Sequence, residues 1–187
     1  MLRRGFKTEA EMIARDLRFE LGIGSVDRLD PLRLAEYLSI PVIPLSIFEK
    51  QDPTAIKHFS VVEPKAFSAV TVFFGFERLI VHNDYHSNPR QYTNITHELS
   101  HAILLHPPTP PLSDHGCREW NSELEEEANW LSGTLLIPEE AALYIVRNGW
   151  TEFQAAQWYG ISRAMIRFRL NVTGAKTRVN RSRHFNF

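Results

Sequence analysis

Long segments with helical hydrophobic spacing occupy most of the chain, and one short region rich in β-branched and aromatic residues interrupts them. The spacing predicts a first helix over residues 8–21, and a short second helix that Asp30 caps and Pro31 begins. Residues 40–45 contain two prolines, so we expect this segment to be extended and to lie at the edge of a sheet.

The interrupting region predicts a small sheet. Its strands are expected at His58–Val62, Ala69–Phe74 and Arg78–Val81, which are rich in β-forming residues. The last two runs are separated only by Gly75-Phe76-Glu77, a connection short enough for a hairpin. The pattern therefore favours antiparallel pairing.

The second half of the chain is predicted to be helical. Helices are expected over Asn88–Leu105 and Glu119–Leu136, from Pro138 to Gly149, over Glu152–Trp158 and over Ser162–Asn171. Prolines at 107, 108, 110 and 111 end the first of these, and Thr151 and Ser162 are expected caps of the last two. The predicted class is α+β, with a small antiparallel sheet packed against helices and a C-terminal helix pair.

Composition and charge exclude several classes of protein. A chain of 187 residues that is 43% hydrophobic can form one substantial core, and a net charge of −1 gives no general attraction to nucleic acid or anionic membranes. Cys117 is the only cysteine, which rules out an intramolecular disulfide and a four-cysteine zinc site. Acidic residues follow the basic start, and no apolar run is long enough to span a membrane, so we expect a cytoplasmic protein.

The motif His97-Glu98-Leu99-Ser100-His101 carries the clearest chemistry. Two histidines four residues apart on a helix leave the same face, and zinc accepts neutral histidine nitrogen. Apolar residues surround the motif on every side, unlike a chance match on a solvated face, and buried imidazoles need partners. We predict that His97 and His101 bind a metal and that Glu98 is the general base of a metal-assisted hydrolysis.

A catalytic zinc generally has three protein ligands, so a third must come from elsewhere. The helix over Glu119–Leu136 offers four glutamates: Glu123, Glu125, Glu126 and Glu127. Four apolar residues of this helix form a stripe that should face the core: Leu124, Ala128, Leu131 and Leu135. Measured around the helix axis, Glu127 lies about 70° from the centre of the stripe and Glu126 about 170° from it. Glu125 and Glu123 lie about 90° and 110° from the centre, on opposite sides of the stripe. The spacing therefore predicts Glu127 as the third ligand.

A developing oxyanion needs a further hydrogen-bond donor. The sequence leaves five candidates open: Tyr85, Tyr92, His82, His86 and His106. If the motif helix continued as far as His106, that residue would lie about 180° from His97, so a structural role is favoured there.

Three blocks of the sequence together resemble the ImmA/IrrE family of bacterial and phage metallopeptidases. They are Arg90–His106, Glu127–Leu131 and Leu135–Pro138, within a looser similarity over about residues 8–174. The resemblance implies a gluzincin-like zinc site held by His97, His101 and Glu127, with Glu98 as base. Ser100, Leu131-Ser132 and Ile137 depart from the commonest family residues, but none of these changes removes a ligand.

The resemblance also implies a function. Family members typically cleave a helix-turn-helix repressor and so induce genes of phages, mobile elements or stress responses. The sequence predicts a zinc metallopeptidase domain over residues 1–148, a packed helix pair over 149–174 and a basic, flexible tail over 175–187. The helix pair superficially resembles a helix-turn-helix, but the neutral overall charge disfavours DNA contact by the pair and the tail. The rival is a non-proteolytic regulatory module that binds a repressor or toxin partner and holds a structural zinc; the presence of Glu98 favours the enzyme.

Overall fold

The computed structural model describes residues 1–75, 77–107 and 121–184; Cys117 and most of the proline-rich loop lie outside these ranges. The α+β class is confirmed. The elements are α1 (Phe6–Glu20), α2 (Pro31–Tyr37), β1 (Val42–Pro44), α3 (Pro53–Lys57), β2 (Ala69–Phe74), β3 (Glu77–His82), α4 (Asn88–Ile103), α5 (Ser122–Leu136), α6 (Glu139–Arg147), α7 (Glu152–Tyr159), α8 (Arg163–Val172) and α9 (Ala175–His184). None of these helices is long and apolar enough to cross a membrane.

The predicted caps hold the helix starts in place. The Asp30 carboxylate accepts a hydrogen bond from the backbone N–H of Leu32, and Pro31 occupies the first turn of α2. Thr151 and Ser162 cap α7 and α8 in the same way, each through its side-chain oxygen. These boundaries could be predicted because capping depends on residues close in the chain.

The sheet has three strands in the order β1-β3-β2, and it is mixed rather than antiparallel. β2 and β3 form the predicted antiparallel pair, joined through Gly75 at φ +62°. The antiparallel expectation is wrong for β1, which pairs with β3 in parallel, with Val42 opposite Ile80. Parallel pairing requires a long crossover, and the chain between β1 and β3 provides one.

The strand predicted at His58–Val62 is also wrong. These residues form a π-helical turn that continues directly from α3. Asp52 caps α3 by accepting a hydrogen bond from the backbone N–H of Ala55, so a helix has already begun when the chain reaches His58. β-propensity is a weak preference that such a local context overrides.

Two hydrophobic clusters hold the helices together. The first includes Phe6 of α1, Ile80 of β3, Leu99 of α4 and Leu131 of α5. The second begins at Leu136 and continues through the helices that follow. The C-terminal half of α5 contributes to both clusters and so joins the part of the core that contains α4 to the helices that follow α5.

The segment expected to be a flexible tail forms α9 as far as His184. Ala175 and Val179, one helical turn apart, are both buried, and α9 packs against α6 and α8. Two small apolar residues among many basic ones gave too weak a pattern to predict this helix. The division at residues 148 and 149 stays a prediction.

The Arg169 side chain connects α8 to α1 and to the residue that follows α5, and we expect Arg169→Met to be strongly destabilising. Its guanidinium is fully buried and donates to the Ile137 carbonyl at 2.7 Å and the Glu11 carboxylate at 2.6 Å; burial lowers its pKa. Removing one partner of a buried pair costs about 3–5 kcal/mol, and we expect the lower end here because the Glu11 side chain that remains is 20% exposed, whereas the buried Ile137 carbonyl loses its donor. Urea unfolding measures the loss of free energy of unfolding. The control is Arg167→Met, which removes an exposed ion pair with Glu152. Equal shifts of the urea midpoints of the two variants would contradict this role of Arg169.

Candidate metal centre

Helix α4 presents His97 and His101 on successive turns of one face. Ile95, two residues before His97, and Leu99, midway between the two histidines, are buried in the first hydrophobic cluster on the other side. Ser100, which departs from the pattern that the resemblance implies, is also buried, and its hydroxyl donates to a backbone carbonyl one turn earlier at 2.7 Å. The departure is therefore accommodated within the helix, and both imidazoles stay fixed relative to the core.

The two imidazoles and a glutamate of α5 converge. The Nε2 atoms of His97 and His101 are 3.1 Å apart. Glu125 places one carboxylate oxygen 3.2 Å from His97 Nε2 and the other 3.7 Å from His101 Nε2. All three side chains are largely buried but still reached by solvent, with 14–22% of their surface exposed.

This group of atoms has the spacing of a tetrahedral metal site. Ligands held about 2.0–2.1 Å from a tetrahedral zinc ion stand about 3.3 Å from one another. The two imidazole nitrogens are 3.1 Å apart, and the nearest Glu125 oxygen to each of them, a different oxygen in each case, is 3.2 and 3.7 Å away, so the spacing is of that order. Hydrogen bonding to His101, and to a lesser extent to His97, holds the pKa of the Glu125 carboxyl well below its usual range. The carboxyl is therefore deprotonated, as a metal ligand must be. Among the residues described, these three form a group that could hold a metal ion.

The structure does not bring the expected ligand Glu127 to the two imidazoles. Its carboxylate forms an ion pair with Arg3, 2.9 Å from Nε, and lies 3.6 Å from His106 Nε2. Glu125 and Glu127 project from opposite sides of the apolar stripe of α5, and α4 presents its histidines on the side of Glu125. Ligation by Glu127 stays a prediction, and the geometry favours Glu125, which the angular comparison ranked lower.

Glu98 lies beside the first histidine and contacts the sheet. The Thr71 hydroxyl, in the middle of β2, donates a hydrogen bond to Glu98 Oε2 at 2.6 Å. The carboxylate is only partly buried and keeps accepting capacity at both oxygens. The Thr71 hydrogen bond thus holds the carboxylate of the predicted base, which directly follows His97 in sequence, against the sheet. Thr71 was not among the predicted site residues, because only pairing of distant elements brings it there.

His106 lies close to the site, although the sequence placed it on the opposite face. Helix α4 ends at Ile103, and Leu105 adopts φ +54°, which turns the chain back. The His106 backbone N–H donates to the His101 carbonyl at 3.0 Å, and the Nδ1 atoms of the two rings are 2.9 Å apart. Burial, and then the neighbouring His101, lower the pKa of His106. Leucine rarely adopts positive φ, so nothing in the sequence signalled this turn.

The remaining candidate oxyanion donors have contacts of their own. His86 Nε2 lies 2.7 Å from a backbone carbonyl oxygen, and the Tyr92 ring lies under an arginine guanidinium. His82 is buried at the end of β3, where burial lowers its pKa. Tyr85 is nearly half exposed. Assignment of an oxyanion donor among these residues stays open.

Comparison with known sequences places this site within a family. Residues 35–171 match the family described as the IrrE N-terminal-like domain, a peptidase family. The matched range contains β1 to β3, α4 and α5, and with them all three candidate ligands, His97, His101 and Glu125. The chain has no significant match among curated proteins or among solved structures.

Proposed function

Since the chain belongs to the ImmA/IrrE family of metallopeptidases, we propose that it is a zinc-dependent endopeptidase that cleaves a helix-turn-helix repressor. The observation that supports hydrolysis most directly is the placement of Glu98. Glu98 directly follows the candidate ligand His97 on α4 and its carboxylate is held by Thr71, whereas a purely structural zinc site has no need of such a group.

We propose that His97, His101 and Glu125 hold the zinc ion. Two imidazole nitrogens and one carboxylate, with a position left for water or substrate, are the donor set of catalytic zinc sites. When bound there, zinc supplies a Lewis acid that polarises the scissile carbonyl and lowers the pKa of water.

Glu98 moves the proton. Its carboxylate takes a proton from the water molecule that attacks the scissile carbonyl, and then donates it to the nitrogen of the leaving amine. The hydrogen bond from Thr71 occupies one lone pair of Oε2 and sets the direction in which the others point. Both proton transfers therefore take place at a carboxylate whose orientation is fixed.

A free strand edge beside Glu98 supports a peptide substrate. In the described part of the chain, β2 pairs with β3 along one side only, and Thr71 in that strand contacts the base. An extended peptide that adds to a free edge forms main-chain hydrogen bonds with it. Such a peptide would pass the candidate metal ligands, as cleavage within a polypeptide requires.

Metal removal tests the proposal. We expect the purified chain to contain zinc and to cleave the helix-turn-helix repressor encoded beside it, with fragments identified by mass spectrometry. Chelation should abolish cleavage, and added zinc should restore it, because the site supplies the Lewis acid. A protein that binds zinc and the repressor without cleaving it would instead support the non-proteolytic module.

Thr71→Val tests the orientation of the base. The variant keeps the shape of the side chain and removes the hydroxyl that bonds Glu98. We expect kcat to fall about tenfold, equivalent to about 1.4 kcal/mol of transition-state stabilisation, with zinc affinity unchanged. Thr93→Val is a matched control, since that hydroxyl bonds only within α4 in the contacts described. Equal activity of the two variants would remove Thr71 from the site.

A further inference from the structure

A series of polar side chains extends from His101 to the segment that precedes α1. His101 directs Nε2 toward His97 and Glu125, and its other nitrogen, Nδ1, lies 2.9 Å from His106 Nδ1. His106 Nε2 lies 3.6 Å from a Glu127 carboxylate oxygen, and Glu127 in turn forms an ion pair with Arg3. The His106 and Glu127 side chains are only 6% and 12% exposed, whereas Arg3, at the outer end of the series, is half exposed.

Metal binding would fix the tautomers of both histidines in this series. A metal at His101 Nε2 uses the lone pair of that nitrogen, so the imidazole proton must be on Nδ1. The Nδ1 proton then faces His106 Nδ1, which can only accept it as a bare nitrogen. His106 consequently carries its own proton on Nε2, directed toward the Glu127 carboxylate.

We propose that His106, Glu127 and Arg3 are positioning residues that hold His101 in its metal-binding tautomer and orientation, an inference that rests on the proposed zinc site. A histidine ligand generally donates its second ring proton to an acceptor that fixes the ring. Here the acceptor is another histidine, and a carboxylate and a guanidinium complete the series.

The backbone strengthens this arrangement. The turn at Leu105 anchors His106 to the carbonyl of the same histidine that its ring contacts, so ring and backbone are fixed together. Helix α5 supplies both glutamates: Glu125 faces Nε2 of His101 directly, and Glu127 reaches Nδ1 through His106. One helix therefore contacts both sides of a single metal ligand, and Glu127 has a role without binding metal itself.

The test measures metal affinity by competition with a chromophoric chelator, and ligand geometry from the visible spectrum of the cobalt-substituted protein. His106→Leu should weaken zinc binding about 10- to 100-fold and alter the cobalt spectrum, as loss of a supporting group does at other sites. His106→Asn should recover most of the affinity, because its side-chain oxygen can accept from His101 Nδ1. Glu127→Gln should weaken binding in the wild-type background and have little further effect in the His106→Leu background.

Glu126→Gln is the matched control, since that half-exposed carboxylate of α5 faces away from His106 and should leave affinity unchanged. Circular dichroism of the metal-free variants checks that each one folds. Wild-type affinity in His106→Leu, or an undiminished effect of Glu127→Gln in that background, would overturn the positioning role. If the wild-type protein binds zinc but cleaves no repressor, the proposed peptidase activity is overturned, and the affinities of the variants still test the positioning role. If the wild-type protein binds no zinc, both the peptidase activity and the positioning role are overturned.

Discussion

Glu98→Gln is expected to abolish repressor cleavage while the protein still binds zinc. Glutamine has nearly the same shape, and its carbonyl oxygen can still accept the hydrogen bond from Thr71. It cannot take a proton from water at neutral pH, and loss of a general base typically lowers the rate by about 10²- to 10⁴-fold. Single-turnover cleavage and zinc content, measured on the same preparation, check both halves of the prediction.

Glu126→Gln makes the same chemical change on α5 at a partly exposed position and should retain wild-type cleavage. Wild-type cleavage by Glu98→Gln would refute the role of Glu98 as the base. Loss of zinc from Glu98→Gln would show that the carboxylate contributes to binding, and the rate would then say nothing about proton transfer.

Glu125→Ala is expected to lower zinc affinity by more than about 100-fold, beyond the range for removal of a supporting group. Its carboxylate is the one that lies 3.2 and 3.7 Å from the two histidine nitrogens. Competition with a chelator of known affinity gives the dissociation constant of each variant. Without a third protein ligand, the two histidines alone should hold zinc weakly.

Neighbouring glutamates provide the controls. We expect Glu127→Ala to have a smaller effect than Glu125→Ala, since Glu127 reaches the site only through His106, and Glu126→Ala to have none. The reverse order for the first two would restore Glu127, the residue that the sequence predicted. Equal affinities in all three variants would mean that none of these glutamates binds zinc.

Two of the three clustered groups could be predicted because their geometry is local. His97 and His101 share a helix, and the spacing of four residues fixes their common face whatever surrounds them. The cap at Asp30 and the hairpin of β2 and β3 are local in the same sense. Parallel pairing of β1 depends on residues far apart in the chain, and the antiparallel prediction was wrong for it.

The third group shows the limit of a helical projection. Glu125 and Glu127 differ by only about 20° in their distance from the centre of the apolar stripe, but they lie on opposite sides of it. Periodicity identifies the face that packs on the core. It contains no information about which flank α4 will occupy, and that flank decides which carboxylate meets the histidines.

The predicted position of His106 was wrong for a different reason. The prediction extended the helix to residue 105, whereas α4 ends at Ile103 and the chain reverses at Leu105. An error of two residues at a helix end moved a side chain from the far face to direct contact with His101. Residues just beyond a helix are therefore poorly placed by angular extrapolation.

The free side of β2 also has a cost for the molecule in solution. Its sequence, Ala69 to Phe74, is an uncharged run of β-forming residues without proline, and Phe74 is largely exposed. Unpaired strand edges of this composition are templates for other strands, including the same strand of another copy. The edge that suits an extended substrate is thus also the part of the described chain most prone to self-association, and a bound peptide would protect against it.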